Sequence, residues 1–215
     1  GYSFEHRSVE NQNVGGTTLP SAGTDTHFLE HEINVSDLHQ FSPHWLNQLR
    51  FLVGHFDNSV SSISGAPQLA VSGLFTAGGA QADSRRTEYH FDGTDFATYA
   101  SGRHQLSFGI DIPDISRRGL DDFTNRAGTY TFASSADFAA ATPTTYLLQT
   151  GQGHVVFVEK VISGFIEDNL RLKPGFSLYL GMRYYWQNYF HDEPHNVAPR
   201  VGFAYAPTAG GKTVI

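Results

Sequence analysis

The stretch Ala206-Pro-Thr-Ala-Gly-Gly-Lys-Thr213 fits the loose phosphate-loop pattern of a small residue, four of any kind, then Gly-Lys-Thr. Such a loop needs a buried strand before it and a helix after it, because the loop amides and the helix N-terminus bind the phosphates. Neither flank fits. The preceding run alternates and carries Arg200 on its polar side, whereas a phosphate-loop strand is covered on both faces and reads as continuously apolar. After Thr213 come only Val214 and Ile215, β-branched residues that suit a strand. The stretch is read as a Gly-containing hairpin turn.

Histidine is the next candidate, with 11 residues. His27 and His31 flank acidic positions, but on a strand they stand about 13 Å apart at ~3.3 Å per residue and cannot share one ion. His191-Asp-Glu-Pro-His195 forms a polar segment that reads as solvated loop before it reads as a metal site. There is no Gly-x-Ser-x-Gly elbow, and no spacing selects a Ser-His-Asp set. Cysteine is absent, which removes thiolate ligands, a thiol nucleophile and disulfides. No enzyme, cofactor or metal reading emerges.

The residues that could do chemistry must be held by something, and the period of the chain is two. Leu106, Phe108, Ile110 and Ile112 share one face against Gln105, Ser107, Gly109 and Asp111. Leu178, Leu180, Met182, Tyr184 and Trp186 oppose Tyr179, Gly181, Arg183, Tyr185 and Gln187. Val201, Phe203 and Tyr205 alternate with Arg200, Gly202 and Ala204, and Leu29, Ile33 and Val35 alternate with Glu30, Glu32 and Asn34. The runs 46–59 and 157–172 carry apolar residues on both faces, which leaves their register open. Eight strands are predicted, at 2–9, 27–41, 46–59, 86–100, 103–117, 157–172, 177–190 and 197–206, with a ninth from Thr213. Several exceed the five or six residues usual in globular proteins and reach the ~9–11 that a membrane-crossing strand needs.

The connections alternate. Segments 10–26, 60–85 and 118–156 are long, while Ser42-Pro-His-Trp45, Ser101-Gly102 and Lys173-Pro-Gly175 are tight. In an antiparallel meander this places short turns on one side and long loops on the other, the layout of an outer-membrane barrel. Within 118–156, Ser134 is placed to cap a short helix. Composition agrees: charged residues make up 16%, against about a quarter in typical soluble proteins, and aromatics 13%. A net charge of −7 without any Lys/Arg-rich run excludes a nucleic-acid partner. No apolar run is long enough for a membrane helix, and GYSFEHRSVE lacks the regions of a signal peptide.

Several segments resemble TonB-dependent outer-membrane receptors, and among them the Oar-like subgroup. They are Gly164-Phe-Ile-Glu-Asp-Asn-Leu-Arg-Leu172, Leu178-Tyr-Leu-Gly-Met-Arg-Tyr184, Ala198-Pro-Arg-Val-Gly-Phe-Ala-Tyr205 and Gly211-Lys-Thr-Val-Ile215. Glu167 and Asn169 depart slightly from the commoner residues. Earlier pieces are similar in style, among them Val71-Ser-Gly-Leu-Phe-Thr-Ala-Gly-Gly79 and Thr129-Tyr-Thr-Phe132.

The resemblance implies that GKTVI is a periplasmic turn entering a strand. It implies an all-β fold, with residues 1–215 a partial section of about eight or nine strands from a barrel of roughly 22. The plug, the signal peptide and the remaining strands would lie elsewhere in a longer protein, and this section alone is expected neither to insert nor to stay monomeric. The implied function is binding and import of a solute, an oligosaccharide or a peptide, through the outer membrane. The implied partners are outer-membrane lipid and, through the plug, the TonB energy-coupling complex. In such a barrel Glu30, Glu32, Asp111, Arg183, Tyr185, Gln187 and Arg200 would face the lumen, and loops 60–85 and 118–156 would meet the solute. The alternative is a soluble or surface-exposed carbohydrate-binding or adhesive β-module, whose apolar faces would be covered by a second sheet.

Overall fold

The computed structural model describes residues 1–191 and 195–206. Twelve strands form: β1 (Tyr2–Gln12), β2 (Thr24–Ser42), β3 (Trp45–Ser62), β4 (Gln68–Val71), β5 (Phe75–Ala77), β6 (Ser84–Ser101), β7 (His104–Asp122), β8 (Thr129–Phe132), β9 (Thr145–Leu147), β10 (His154–Lys173), β11 (Phe176–Gln187) and β12 (His195–Tyr205). One sheet holds eight of them in the order β1-β2-β3-β6-β7-β10-β11-β12, and every pairing is antiparallel. This is the up-and-down meander that the alternating connections predict. The hairpin turn expected over 206–213 and the strand from Thr213 lie outside the described residues, apart from Ala206.

The long strands outrun their expected bounds at the loop end. β2 begins at Thr24 instead of 27, β3 runs to Ser62 instead of 59, β7 runs to Asp122 instead of 117, and β10 begins at His154 instead of 157. Some added residues, such as Thr24-Asp-Thr and Asp121-Asp122, are polar on both faces, and others, such as Val155-Val156, are apolar on both, so no alternation marks them although the ladder continues through them. β10 has 20 residues, about 65 Å of strand, well beyond what a bilayer needs. β11 instead stops at Gln187, short of 190. There the Gln187 Oε1 accepts from the amides of Tyr189 (2.6 Å) and Phe190 (2.7 Å) and turns the chain away.

β7 carries a bulge at Pro113. Its partners jump from Ser163↔Asp111 to Val161↔Asp114 on one side, and from Gly93↔Ile112 to Phe91↔Ile115 on the other. Proline has no N–H to give the ladder, so an extra residue is accommodated there. Beyond the bulge the parity reverses: Asp111 and Asp114 share a face, and Ile112 and Ile115 share the other.

The segments expected as loops 60–85 and 118–156 are largely structured. They contribute a second sheet, β5-β4-β8-β9, in which β4 and β8 pair in parallel, and the helix α1 (Ser135–Ala139). Ser134 caps α1, its hydroxyl accepting from the Asp137 amide at 3.1 Å. Phe138 of α1 packs edge-on against Phe75 and Phe132, with ring centroids 5.3 and 5.2 Å away, over the buried Val71. The first connection joins this cap through the Thr18–Thr76 bridge. The buried Gln81 ties the other two, its amide nitrogen donating to the Ala66 carbonyl and its oxygen accepting from the Ala127 N–H.

Among the described residues no second layer covers the large sheet. Its strands pack extensively only on their ladder neighbours. Ile33, Val53, Ile110, Met182, Val201 and Phe203 stand exposed along one face, Val201 at 77%. A soluble sandwich would bury these side chains against a second sheet.

Candidate functional site

The register assigns every strand residue to one of two faces. Glu30 and Glu32 stand opposite Phe56 and Gly54; Glu88, His90 and Asp92 continue that face across β3 and β6. Thr94 lies opposite Asp111, Asp111 opposite Ser163, Ser163 opposite Tyr185, and Val161 opposite Gln187. Arg183 and Arg200 complete the row on β11 and β12. All seven residues singled out from the sequence therefore share the face opposite to Ile33, Ile110 and Met182.

Two of the seven meet directly. The Arg183 guanidinium pairs with the Asp111 carboxylate by reaching across β10, which lies between their strands. It passes over Ser163, donating to its Oγ at 2.8 Å, and Ser163 is 1% exposed. Thr94 donates its hydroxyl to Asp111 at 3.2 Å. Arg200 makes an equivalent crossing of β11 to Glu167 at 3.6 Å. It runs over Gly181, where an added Cβ would stand 3.1 Å from the Glu167 side chain and 3.6 Å from Arg200, so the glycine leaves the path clear. Glu30 lies opposite Glu5, and Glu32 opposite Ser3 and Gly54. Gln187 is 5% exposed and engaged with the 189–190 backbone, a strand-ending role.

The densest cluster escaped the sequence reading. Arg118 gathers three carboxylates from three strands: Glu88 of β6 at 3.2 Å, Asp114 of β7 at 3.1 Å, and Glu159 of β10. Ser116, 1% exposed, donates to Asp114 at 3.1 Å. Glu88 also receives Arg86 at 3.3 Å. The signal available in the sequence was Pro113. A bulge there reverses the parity and brings Asp114, Ser116 and Arg118 onto the face of Asp111.

Together these pairs form a ladder of fixed charges from β6 to β12, in which arginines reach carboxylates across strands and the carboxylates outnumber them at the Arg118 hub. A surface of this kind offers hydrogen-bond donors and acceptors at set positions. Among the described residues no group of three or more His, Asp or Glu side chains is arranged to hold a metal ion. Two aromatic contacts interrupt the polar ladder, Phe28–Phe56 at 5.3 Å and Phe96–Phe165 at 6.4 Å. They explain why 46–59 and 157–172 fail to alternate cleanly: Phe56 and Phe165 are apolar residues on the polar face.

Above the ladder's loop end stands the cap. Its outermost strand, β9, and the residue after it expose Tyr146, Leu147 and Leu148. Tyr146 stacks on Tyr130 at 4.4 Å, and partial desolvation there, with the neighbouring phenol, raises its pKa above the ordinary value. Of the polar segment His191–His195, residues 192–194 lie outside the described residues. The described end, His195, pairs with Tyr184 across β11 and β12.

Comparison with known proteins agrees with this arrangement. No curated protein matches the chain. The outer membrane transporter YddB from Escherichia coli shares the fold, with a TM-score of 0.61 at 14% identity over 95% of this chain. The chain spans 26% of that transporter's length. The family pattern described as an outer membrane beta barrel domain matches residues 1–195. With that pattern covering most of its length and a sheet that is polar on one face and bare apolar on the other, the chain belongs to the outer membrane beta barrel domain family, and its place is the outer membrane.

Proposed function

We propose that this chain is a section of a TonB-dependent receptor barrel, related to the Oar-like subgroup, that binds a solute outside the cell and passes it inward. The charge ladder on one face of the sheet is the observation that carries the reading. In a closed barrel that face lines the lumen, and a lumen of paired Arg and carboxylate side chains suits a polar, hydrogen-bonding cargo such as an oligosaccharide or a peptide. The cap supplies first contact. Tyr146 and Leu147 form an exposed apolar edge above the ladder, of the kind that stacks on a sugar ring or an apolar side chain. In this reading the protein performs no covalent chemistry, and energy reaches it through a plug domain from the TonB complex.

Uptake assays on the intact receptor test the proposal. Cells carrying it should accumulate the labelled oligosaccharide or peptide only with TonB present and the proton gradient intact. Uptake that persists without TonB would reduce the protein to a passive pore. Binding at the cap is tested separately: Tyr146→Ala with Leu147→Ser should weaken surface binding of the cargo about tenfold, the scale of one lost stacking contact. An unchanged affinity would remove the cap from the binding path.

A further inference from the structure

The apolar face has an upper edge that can be located. On β7 the outward residues from Leu106 to Ile115 cover the ladder from Asp168 to Lys160 of β10 and span about 21 Å along the barrel axis at a strand tilt near 40°. That fits within the ~25 Å apolar band of outer-membrane barrels. The next outward residue is Arg117. It belongs to a row that crosses the sheet by direct pairing: Phe4, His31, His55, Tyr89, Arg117, Val158. Four of its six members, His31, His55, Tyr89 and Arg117, pair an apolar body with a polar group. Phe4 packs on His31 at 4.9 Å, Tyr2 hydrogen-bonds His31 at 2.8 Å, and His55 stacks flat on Tyr89 at 4.2 Å. This is an interfacial girdle.

Arg117 differs from the other charged side chains of the face around it. Towards the loops, Arg85 is paired with Asp57, and His154 with Asp121. Towards the turns, His104 is paired with Asp168. Arg117 is exposed and has no carboxylate within ion-pair distance among the described residues, and the same holds for Lys160. Arg117 lies opposite Val158 and Lys160 opposite Ile115, so the two cations are diagonal cross-strand neighbours, about 7–8 Å apart at the backbone. Lys160 sits one step nearer the bilayer centre, and its four-carbon stem carries the ammonium up to the girdle. Beneath both lies the exposed apolar face, and Tyr89 flanks Arg117.

We propose that Arg117 and Lys160 form a binding site for the anionic phosphate of a membrane lipid head group, with Tyr89, Val158 and Ile115 receiving the upper part of its chains. Two cations that meet no carboxylate among the described residues, at the boundary of an apolar surface, are complementary to a phosphate anchored by hydrocarbon. A soluble anion gains nothing from the apolar floor. The site requires only that the apolar face meets lipid, and it is independent of solute import.

Native mass spectrometry of the intact membrane protein in a neutral detergent tests this, with phosphatidylglycerol and a phosphate-free galactolipid of matched chains as probes. The wild-type protein should hold phosphatidylglycerol about thirty-fold more tightly than the Arg117→Gln/Lys160→Gln variant, from about 1 kcal/mol per cation near the surface. Galactolipid binding should be equal in the two. Arg117→Lys/Lys160→Arg should restore most of the affinity, and heat-modifiable migration on a gel shows that each variant is folded. Equal retention of phosphatidylglycerol by the wild-type and the charge-removed protein would overturn the proposal. So would full displacement of the lipid by inorganic phosphate, which would make this a site for free anions.

Discussion

Ile110 and Asp111 are adjacent in β7 and live under opposite rules. Ile110 is 57% exposed, and no side chain of another layer covers it. Asp111 is engaged by Arg183, Ser163 and Thr94, drawn from three other strands. The same contrast runs along the sheet. The outward face is kept in order by what surrounds it, because hydrocarbon accepts any apolar group of suitable size. The opposite face, inward in a closed barrel, is kept in order from β6 to β12 by named partners, because a partly buried charge needs its counter-charge at hand. A substitution outward is therefore judged by polarity alone, and a substitution inward by what it orphans.

The sharpest way to break this contrast is a charge on the outward face at mid-band. Ile110→Arg should destabilise the barrel by about 2 kcal/mol, the low end of the cost of an arginine at the bilayer midplane because Asp95 stands opposite on the same face, while Ile110→Leu should be near neutral. Denaturant titration of folding into vesicles measures both. An Ile110→Arg protein as stable as the wild type would mean that this face does not meet lipid. On the inward face the informative change is removal of a hub. Arg118→Ala leaves Glu88, Asp114 and Glu159 facing one another without their shared cation. Their side chains are 15–25% exposed, so water softens the repulsion and the expected loss is about 1–2 kcal/mol. Adding Glu88→Gln should return part of it. Additive losses from the two changes would show that the cluster is not coupled.

The same two faces explain what the sequence made legible. Alternation was enough to order the eight long strands, to separate Leu180 from Arg183, and to place Glu30, Glu32 and Arg200 with Asp111, because one period-two rule governs both faces. It failed where the period itself changes. Past Pro113 the parity of β7 flips, and Arg118, assigned by continuing the count from Asp111, would have fallen on the wrong side. It failed again in 60–85 and 118–156. There β4, β5, β8 and β9 have only three or four residues each, too few to show a period, and are held by the cluster of Phe75, Phe132 and Phe138. Ser134 remained readable because a helix cap is a local signal. The crossings Arg183–Asp111 and Arg200–Glu167 were invisible because each skips a strand, and only the register shows that Ser163 and Gly181 leave room beneath them.

Where the sheet meets the cap, the contrast should fade, since neither face touches hydrocarbon there. Asp122, the last residue of β7, lies seven positions beyond Ile115 and outside the apolar band. Its carboxylate accepts from the Thr124 hydroxyl at 2.7 Å and from the Thr124 amide at 3.1 Å. Those hydrogen bonds favour the charged form and hold its pKa below the ordinary value of 3.8. A depressed folded-state pKa contributes stability that is present above the unfolded value and is lost as the pH falls through the folded one. The turn after β7 should therefore hold through the range near pH 4 where an ordinary aspartate protonates, and loosen only below it. The Thr124 amide resonance, followed down in pH, should titrate below that range in the wild type and stay flat in Asp122→Asn, which keeps an acceptor but cannot ionise. Because the group is open to water, the effect should be confined to this turn and leave the denaturation midpoint of the barrel unmoved. A midpoint that shifts with the Asp122 titration would mean that cap and barrel unfold as one unit, and that the loop end obeys the inward rule of obligatory partners after all.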